Sequence, residues 1–387
     1  MLKDKVAVIG AAMIKFGRLF DKSYEDIIAE AYLKAMDSVD NGMESKDIQA
    51  GWLGTAMGGL LMDRELITGA TLSYATGLEG IPVTRCENLC ASGSDSFRNA
   101  VLGIASGFYD VAIVIGAEKM CDKPAEQGML AEANKEGHTI FNYGITAPSI
   151  FGLIANRHMH EFGTTKEQMA KVAVKNHENG TKNPDAALQF RVSVEQVLKS
   201  PFVSWPLGLM DCCPITDGAA AILLCKKELA KKYTDRPVYV AGIANATSSK
   251  TENLTEFAST KLASKRAYEM ANMGPEQIDV AEVHDCFTIA ELVEYEDLGF
   301  CEKGQGGRFI DEGRSGLEGD IAVNPSGGLL CKGHPLGATG VAQISELFHQ
   351  LRGQADRRQR QGARTGLQHN IGFMHDRSVT CVSVLTV

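Results

Sequence analysis

Short unbroken apolar runs alternate with stretches of helical rhythm along the first third of the chain. Val6-Ala7-Val8-Ile9-Gly10, Ile48 to Gly54 and Asp110-Val111-Ala112-Ile113-Val114-Ile115-Gly116 are the runs expected of strands covered on both faces. Between them, Tyr24 to Val39 reads as a helix offering Ile27, Ile28, Ala31, Leu33 and Ala35 for burial, after a loop at Ala11-Ala12-Met13. A second helix is expected around Leu66 to Thr76. A third follows the sharp turn at Val83-Thr84-Arg85-Cys86-Glu87-Asn88-Leu89-Cys90, where Phe97, Ala100, Val101, Ile104 and Ala105 form one stripe. Strands alternating with helices define an α/β sheet.

From about Glu118 to Gly208 the apolar runs shorten, and Asn183-Pro184-Asp185, Ser200-Pro201 and Trp205-Pro206 punctuate the chain as turns. This segment reads as an excursion from the sheet. Its Lys166, Lys171, Lys175, Lys182, Arg191 and Lys199 either form a solvated face or meet an anionic ligand. Asp217 to Cys225 resumes a buried strand, and Lys226 to Lys232 starts a helix. At Pro237 the opening pattern returns: Val238 to Ala244 echoes Val6 to Ala12. Likewise Ala267-Tyr268-Glu269-Met270-Ala271 before Ile278 to Val283 echoes Ala31 to Met36 before Ile48 to Gly54. Gly340 to Leu351 supplies the matching later turn and helix, so two related halves are expected. Gly353 to Gly366, with Arg357, Arg358, Arg360 and Arg364, reads as a helix end and solvated loop before a strand at Ser378 to Val384.

Composition narrows the class. With 387 residues, 44% hydrophobic and 22% charged, the chain has the make-up of a globular protein of two or three domains. A net charge of −9 with scattered basic residues does not suggest a nucleic-acid surface, and no apolar run is long enough to span a membrane. The ten cysteines show no Cys-x-x-Cys pairing, so neither a disulfide framework nor a metal site is read. With no secretory leader and no terminal Ser-Lys-Leu, a cytoplasmic location is expected.

The chemistry concentrates in a few places. Cys90 sits where a helix is about to begin, so unpaired amides and the helix dipole favour its thiolate, and Ala91, Ser92 and Gly93 leave room for a substrate. His284-Asp285-Cys286-Phe287 follows an apolar strand, and Gly333-His334-Pro335-Leu336-Gly337-Ala338-Thr339-Gly340 leads into the helix Val341 to Phe348. Gln368-His369-Asn370-Ile371-Gly372 is a third histidine-bearing stretch. A thiol nucleophile needs a base, a carbonyl substrate needs donors for its oxyanion, and carbon-acid chemistry needs a second base. Cys90, His334, Cys286 and His284 supply these roles as a set.

Asn88-Leu89-Cys90-Ala91-Ser92-Gly93, His284-Asp285-Cys286-Phe287 and Gly333 to Gly340 resemble the fingerprints of the thiolase superfamily, and the His-Asp-Cys-Phe form resembles its sterol-carrier-protein-2 type branch. The resemblance covers essentially the whole chain. It implies an α/β thiolase fold of two β-α-β-α-β-α-β-β halves in a five-layered α-β-α-β-α arrangement. Residues 1–117 with 209–236 would form the first half, 237–387 the second, and 118–208 an inserted loop domain on the coenzyme A side. It further implies acyl-CoA substrates, no tightly bound cofactor and an acyl-cysteine intermediate. Cys90 would be the nucleophile, His334 its activating base and Cys286 the acid/base. His284, directly or through water, and His334 would hold the enolate oxygen, and the amides of Cys90 and Gly372 the tetrahedral intermediate. Many thiolases use a cysteine in a Cys-x-Gly motif as acid/base, whereas Asn370-Ile371-Gly372 stands here, so Cys286 has to take the role. Phe373-Met374-His375 replaces the small residues usual after that glycine, which makes Met374 and His375 candidates for reshaping the acyl pocket.

The function expected is exchange between a 3-oxoacyl-CoA plus CoA and two shorter acyl-CoAs, with acetoacetyl-CoA as default and branched, aromatic or carboxylated substrates open. A decarboxylating ketoacyl synthase is the alternative, disfavoured because it needs no second thiol. A nicotinamide dehydrogenase is weak because Gly10-Ala11-Ala12-Met13 lacks the Gly-x-Gly-x-x-Gly loop. A non-catalytic lipid carrier is weak because no carrier domain follows before Val387. The resemblance also implies a homodimer or dimer of dimers, and a small zinc-ribbon and OB-fold protein or a hydroxymethylglutaryl-CoA synthase as partner.

Overall fold

The computed structural model describes residues 2–57, 67–124, 145–248, 253–374 and 377–387, without the side chains of 373 and 374. The first half runs β1 (Val6–Met13), α1 (Tyr24–Asp37), β2 (Ala50–Gly54), α2 (Ala70–Thr76), β3 (Val83–Cys86), α3 (Ser92–Ala105) and β4 (Val111–Glu118). After an excursion it closes with β7 (Gly218–Lys226) and α7 (Ala230–Tyr233). The second half runs β8 (Val238–Ser248), α8 (Ala258–Ala271), β9 (Val280–Glu282), α9 (Thr288–Asp297), α10 (Gly306–Asp311), β10 (Ala322–Val323), α11 (Gly328–Lys332), α12 (Leu336–Leu351), β11 (Thr365–Met374) and β12 (Arg377–Thr386).

Ten strands pair in the order β10-β9-β11-β12-β8-β1-β7-β4-β2-β3. Counted within its own half, each set of five follows the same order from its outer edge, third-second-fourth-fifth-first. The pairing directions repeat as well. β2 is parallel to β3 and β4, β4 is antiparallel to β7 and β7 to β1. β9 is likewise parallel to β10 and β11, β11 is antiparallel to β12 and β12 to β8. The echo between the halves is therefore a duplication of topology. The halves join at β1 and β8 through Ala7 opposite Tyr239 and Val8 opposite Val238.

The period of two along each strand sorts its side chains onto two faces. Ala7, Ile9, Ile113 and Ile115 pack outward under α1 with Tyr24 and Ile27. Val8, Ala112 and Val114 face the middle of the molecule with Phe97 of α3 and Val341 and Leu347 of α12. α12 lies against β1, β4 and β7 of one half and β9 and β11 of the other, while α3 contacts β2, β4 and β12. α8 covers β8 and β12 from outside. The result is α1, sheet, α3 with α12, sheet, α8: five layers. Each fully buried Ile or Leu on α12 contributes about 1.5–3 kcal/mol relative to exposure.

Among the described residues, the excursion contains α4 (Ala147–Phe162), α5 (Lys166–Gly180), α6 (Val194–Leu198) and a hairpin of β5 (Phe202–Ser204) and β6 (Leu207–Gly208). Thr165 and Ser193 cap α5 and α6, each accepting from the amide of a glutamine three residues on. α5 packs on α9, α10 and α11, and α4 on α9, which sets the excursion over the second half.

Several expectations change. Ala11 to Met13 continue β1 because they pair with Ala220 to Ile222 of β7. Leu33 is 59% exposed, lying off the buried stripe Tyr24, Ile27, Ile28, Ala31 and Ala35. α12 begins at Leu336, directly after Pro335. Arg358, expected in a solvated loop, is buried, with Nε 2.9 Å from Glu346. Leu66 lies outside the described residues.

Candidate active site

Cys90 sits on a tight loop between β3 and α3. Leu89 adopts a left-handed backbone (φ 53), and its amide is held by Glu87 Oε1 at 3.0 Å. Such a conformation costs a non-glycine residue about 1–2 kcal/mol, so the loop depends on its surroundings. Ser92 supplies part of that support, its hydroxyl accepting from the Asn88 amide at 2.8 Å and donating to the Leu89 carbonyl. The Asn88 side chain donates to Asp95 in the first turn of α3, 2.9 Å away.

The loop also abuts β11. A Cβ on Gly372 would lie 2.3 Å from the Asn88 carbonyl oxygen, so only glycine lets the two backbones meet. The N-termini of α3 and α12 approach just as closely, a Cβ on Gly93 falling 2.4 Å from the Gly337 carbonyl. Glu118 clamps this junction, accepting from the Gly337 amide (2.9 Å), Thr55 hydroxyl (3.0 Å) and Ala56 and Met57 amides (2.9 and 3.0 Å). Two helix N-termini thus converge on the Cys90 region, a field that favours negative charge.

His334 stands two residues before the start of α12 and places Nε2 3.2 Å from Cys90 Sγ. Its Nδ1 is 2.8 Å from Thr339 Oγ1, and that hydroxyl donates to the Pro335 carbonyl at 3.0 Å. With its proton committed to Pro335, Thr339 accepts from Nδ1–H, which leaves the lone pair of Nε2 aimed at the thiol. Burial holds the imidazole down to about 3, so it rests neutral.

His284 and Cys286 lie between β9 and α9. The His284 ring stands edge-on to His334 with centroids 5.0 Å apart. One ligand-capable atom from each of Cys90, His284 and His334 falls within 4.8 Å of the others. Cys286 is buried, its carbonyl accepts from the Cys213 amide at 3.0 Å, and its thiol is pushed well up by burial and by Cys213, Glu294 and Cys90. It therefore rests protonated. Asp285, between them, points away and accepts from the Leu329 and Leu330 amides at 2.7 and 3.2 Å, anchoring α11. Burial and neighbouring Glu291 raise it to about 7. Gln343 of α12 donates to the carbonyls of Val283 (3.1 Å) and His369 (3.0 Å), locking the ends of β9 and β11 to the helix that carries His334.

Cys90, His334 and His284 thus come together at one point. Cys286 acts electrostatically on the same centre, and Gly372 borders the Cys90 loop. Met374 lacks a described side chain, and His375 lies outside the described residues. Among the six basic residues of the excursion, Lys166 pairs with Asp211 (2.8 Å), Lys171 with Asp311 (2.6 Å), Lys175 with Glu291 (2.7 Å), Lys182 and Arg191 with Glu178, and Lys199 with Glu195. Each is matched by an acid of this chain. Thr339, Gln343 and Glu118 escaped sequence reading, although Thr339 stands five residues after His334 inside a stretch already singled out. Among the described residues, no helix is long and apolar enough to cross a membrane.

Comparison with known proteins gives the architecture its family. Residues 6–200 match the family described as "Thiolase, N-terminal domain" and residues 241–384 "Thiolase C-terminal domain-like". The chain is 46% identical over 371 residues to "Acetyl-CoA acetyltransferase" of Methanothermobacter thermautotrophicus, covering 95% of this chain and 96% of that one. It is 35% identical to "Sterol carrier protein 2" of Bos taurus, covering 96% and 71%, and 34% identical to "Benzoylsuccinyl-CoA thiolase subunit BbsB" of Thauera aromatica, covering 91% and 90%. Among solved structures, "Ltp2-ChsH2(DUF35) aldolase" shares the fold with a TM-score of 0.85 at 23% identity, covering 100% and 98%. The chain belongs to the thiolase superfamily, in its sterol-carrier-protein-2 type branch, and is an acyltransferase.

Proposed function

We propose that the protein catalyses the reversible reaction of a 3-oxoacyl-CoA with CoA through an acyl group carried on Cys90. The observation that carries the reading is the 3.2 Å contact between Cys90 Sγ and the acceptor face of a neutral His334. Cys90 gives its proton to His334 Nε2, and the thiolate adds to the 3-oxo carbon. The amides of Cys90 and Gly372 hold the resulting oxyanion. When the bond between C2 and C3 breaks, its electron pair moves into an enolate whose oxygen meets His284 and His334. The Cys286 thiol protonates C2 and releases the shortened acyl-CoA. Incoming CoA returns a proton to Cys286 and attacks the acyl group, and Cys90 leaves with the proton held on His334. A thiol kept protonated by burial suits Cys286 to this acid step.

Acetoacetyl-CoA is the first substrate we propose, supported by the name of the Methanothermobacter relative. The Thauera relative is named for a benzoylsuccinyl-CoA, which keeps aromatic or carboxylated 3-oxoacyl groups within the range, with Met374 and His375 as pocket residues. That relative is also named as a subunit. We extend to this chain the family's expectation of a homodimer or dimer of dimers, and of a small zinc-ribbon and OB-fold partner or a hydroxymethylglutaryl-CoA synthase. Segment 118–208 forms the coenzyme A side in this proposal, and a cytoplasmic location completes it. The test is thiolysis of a panel running from acetoacetyl-CoA to aromatic and carboxylated 3-oxoacyl-CoAs. CoA-dependent cleavage supports the reading, whereas decarboxylation of a 2-carboxyacyl (malonyl-type) thioester without thiolysis would favour a ketoacyl synthase.

A further inference from the structure

Behind His284 lies a group of polar atoms that the reaction scheme leaves unused. His284 Nδ1, His369 Nδ1 and both carboxyl oxygens of Glu294 are buried, and none has a hydrogen-bond partner within the protein. Buried polar atoms in folded proteins nearly always find a partner, so four orphans in one place call for an account. They are neighbours. Glu294 Oε1 is 3.6 Å from His369 Nδ1, the Glu294 carboxyl lies against the backbone amide of His284, and His369 acts electrostatically on His284. On its far side, His369 Nε2 is 2.9 Å from Thr260 Oγ1. Thr260 continues through Thr380 (3.5 Å) and Ser259 (2.8 Å) to Ser378, which reaches the surface.

Protonation states give this chain a direction. Burial, reinforced by Asp285, Glu291 and Asp297, raises the Glu294 carboxyl well above its ordinary range. Burial keeps His369 down to about 3, and burial with His334 and His369 holds His284 well below its usual value. All three groups rest neutral. A neutral imidazole has one donor and one acceptor, and His284 donates to a substrate oxygen through Nε2 only if Nδ1 accepts.

We propose that Glu294 is a positioning residue whose carboxyl O–H donates to His284 Nδ1, directly or through one water, and so keeps the His284 proton on Nε2, facing the substrate oxygen. His369 completes the arrangement: Thr260 O–H donates to its Nε2, and its Nδ1–H donates to Glu294. All four donors then point the same way, toward the reacting oxygen. If Glu294 were a carboxylate, it would draw the His284 proton onto Nδ1 and turn a lone pair toward the enolate. The inference rests on the reading of His284 as an oxyanion donor.

Substitution at Glu294 separates the possibilities. Glu294→Gln keeps a donor and an acceptor in the same places without charge, and it should retain thiolysis kcat within about threefold. Glu294→Leu should lower kcat on the order of 100-fold, as loss of one oxyanion donor does, with KM little changed and Cys90 still acylated. His284→Ala is run beside them. If it loses kcat while Glu294→Leu does not, or if Glu294→Gln falls as far as Glu294→Leu, the positioning role is overturned and the reading of His284 stands. Unaltered kcat in His284→Ala would overturn both.

Discussion

Thr339→Val tests whether the sense of the His334 ring, rather than its mere presence, makes Cys90 reactive. Valine fills nearly the same volume inside α12 but cannot accept from Nδ1–H, which now makes a 2.8 Å hydrogen bond. Leaving that buried donor unpaired costs about 1–3 kcal/mol, the penalty falling on the tautomer that presents a lone pair to the thiol. The ring can escape it by moving the proton to Nε2, where it faces Cys90 and cannot act as base. A penalty of that size corresponds to a drop of about 5- to 150-fold in the acylation rate. Rapid mixing with acetyl-CoA followed by intact-mass measurement reads the acyl-enzyme directly. Thr339→Ser, which keeps the hydroxyl, should acylate close to the wild-type rate. Unchanged acylation in a folded Thr339→Val would refute the tautomer argument.

Cys286→Ala should still accept an acyl group at Cys90 but fail to form or cleave the carbon–carbon bond; full thiolysis in that variant would move the acid/base role elsewhere. Acid sensitivity follows from His334, whose pKa lies near 6.5 in the unfolded chain and is held at about 3 when folded. The unfolded chain then binds the extra proton, so this contribution is complete above pH 6.5 and is lost as pH falls toward 3. Between pH 7 and 5, wild type should lose about 2 kcal/mol more stability than His334→Gln by denaturant titration, and equal losses would contradict the burial of a neutral ring. Cys90, His284 and His334 also form a soft ligand set within 4.8 Å. Micromolar Zn²⁺ should block acylation reversibly, with chelator restoring it, and indifference to Zn²⁺ would show that the trio cannot close around a metal ion.

Much of the fold was legible because its strands are covered on both faces and therefore read as unbroken apolar runs. Two tyrosines mark the duplication, Tyr32 in α1 and Tyr268 in α8, both buried. The exceptions have local causes. β1 runs on through Ala11 to Met13 because a partner strand is available there, which alanine-rich sequence does not announce. Arg358 is buried because Glu346, on a different element, neutralises it. At the site, Cys90, His284, Cys286 and His334 stood out by residue type and by family resemblance. The groups that orient them did not. Thr339 stands in the His334 stretch with no role of its own to read, Gln343 reads as an ordinary helix residue, and Glu294 lies on a helix where an acid normally signals a solvated face. Their roles depend on contacts between segments far apart in the chain, which periodicity does not encode.

Every step proposed for this protein depends on Cys90 carrying the acyl group. Incubation of the protein with an acyl-CoA that it turns over, followed by peptide mapping under mildly acidic conditions that preserve thioesters, tests it most directly. One acyl group is expected on the peptide containing Cys90, removed by added CoA and missing from Cys90→Ser. An acyl group on Cys286 or any other cysteine, with none on Cys90, would contradict it.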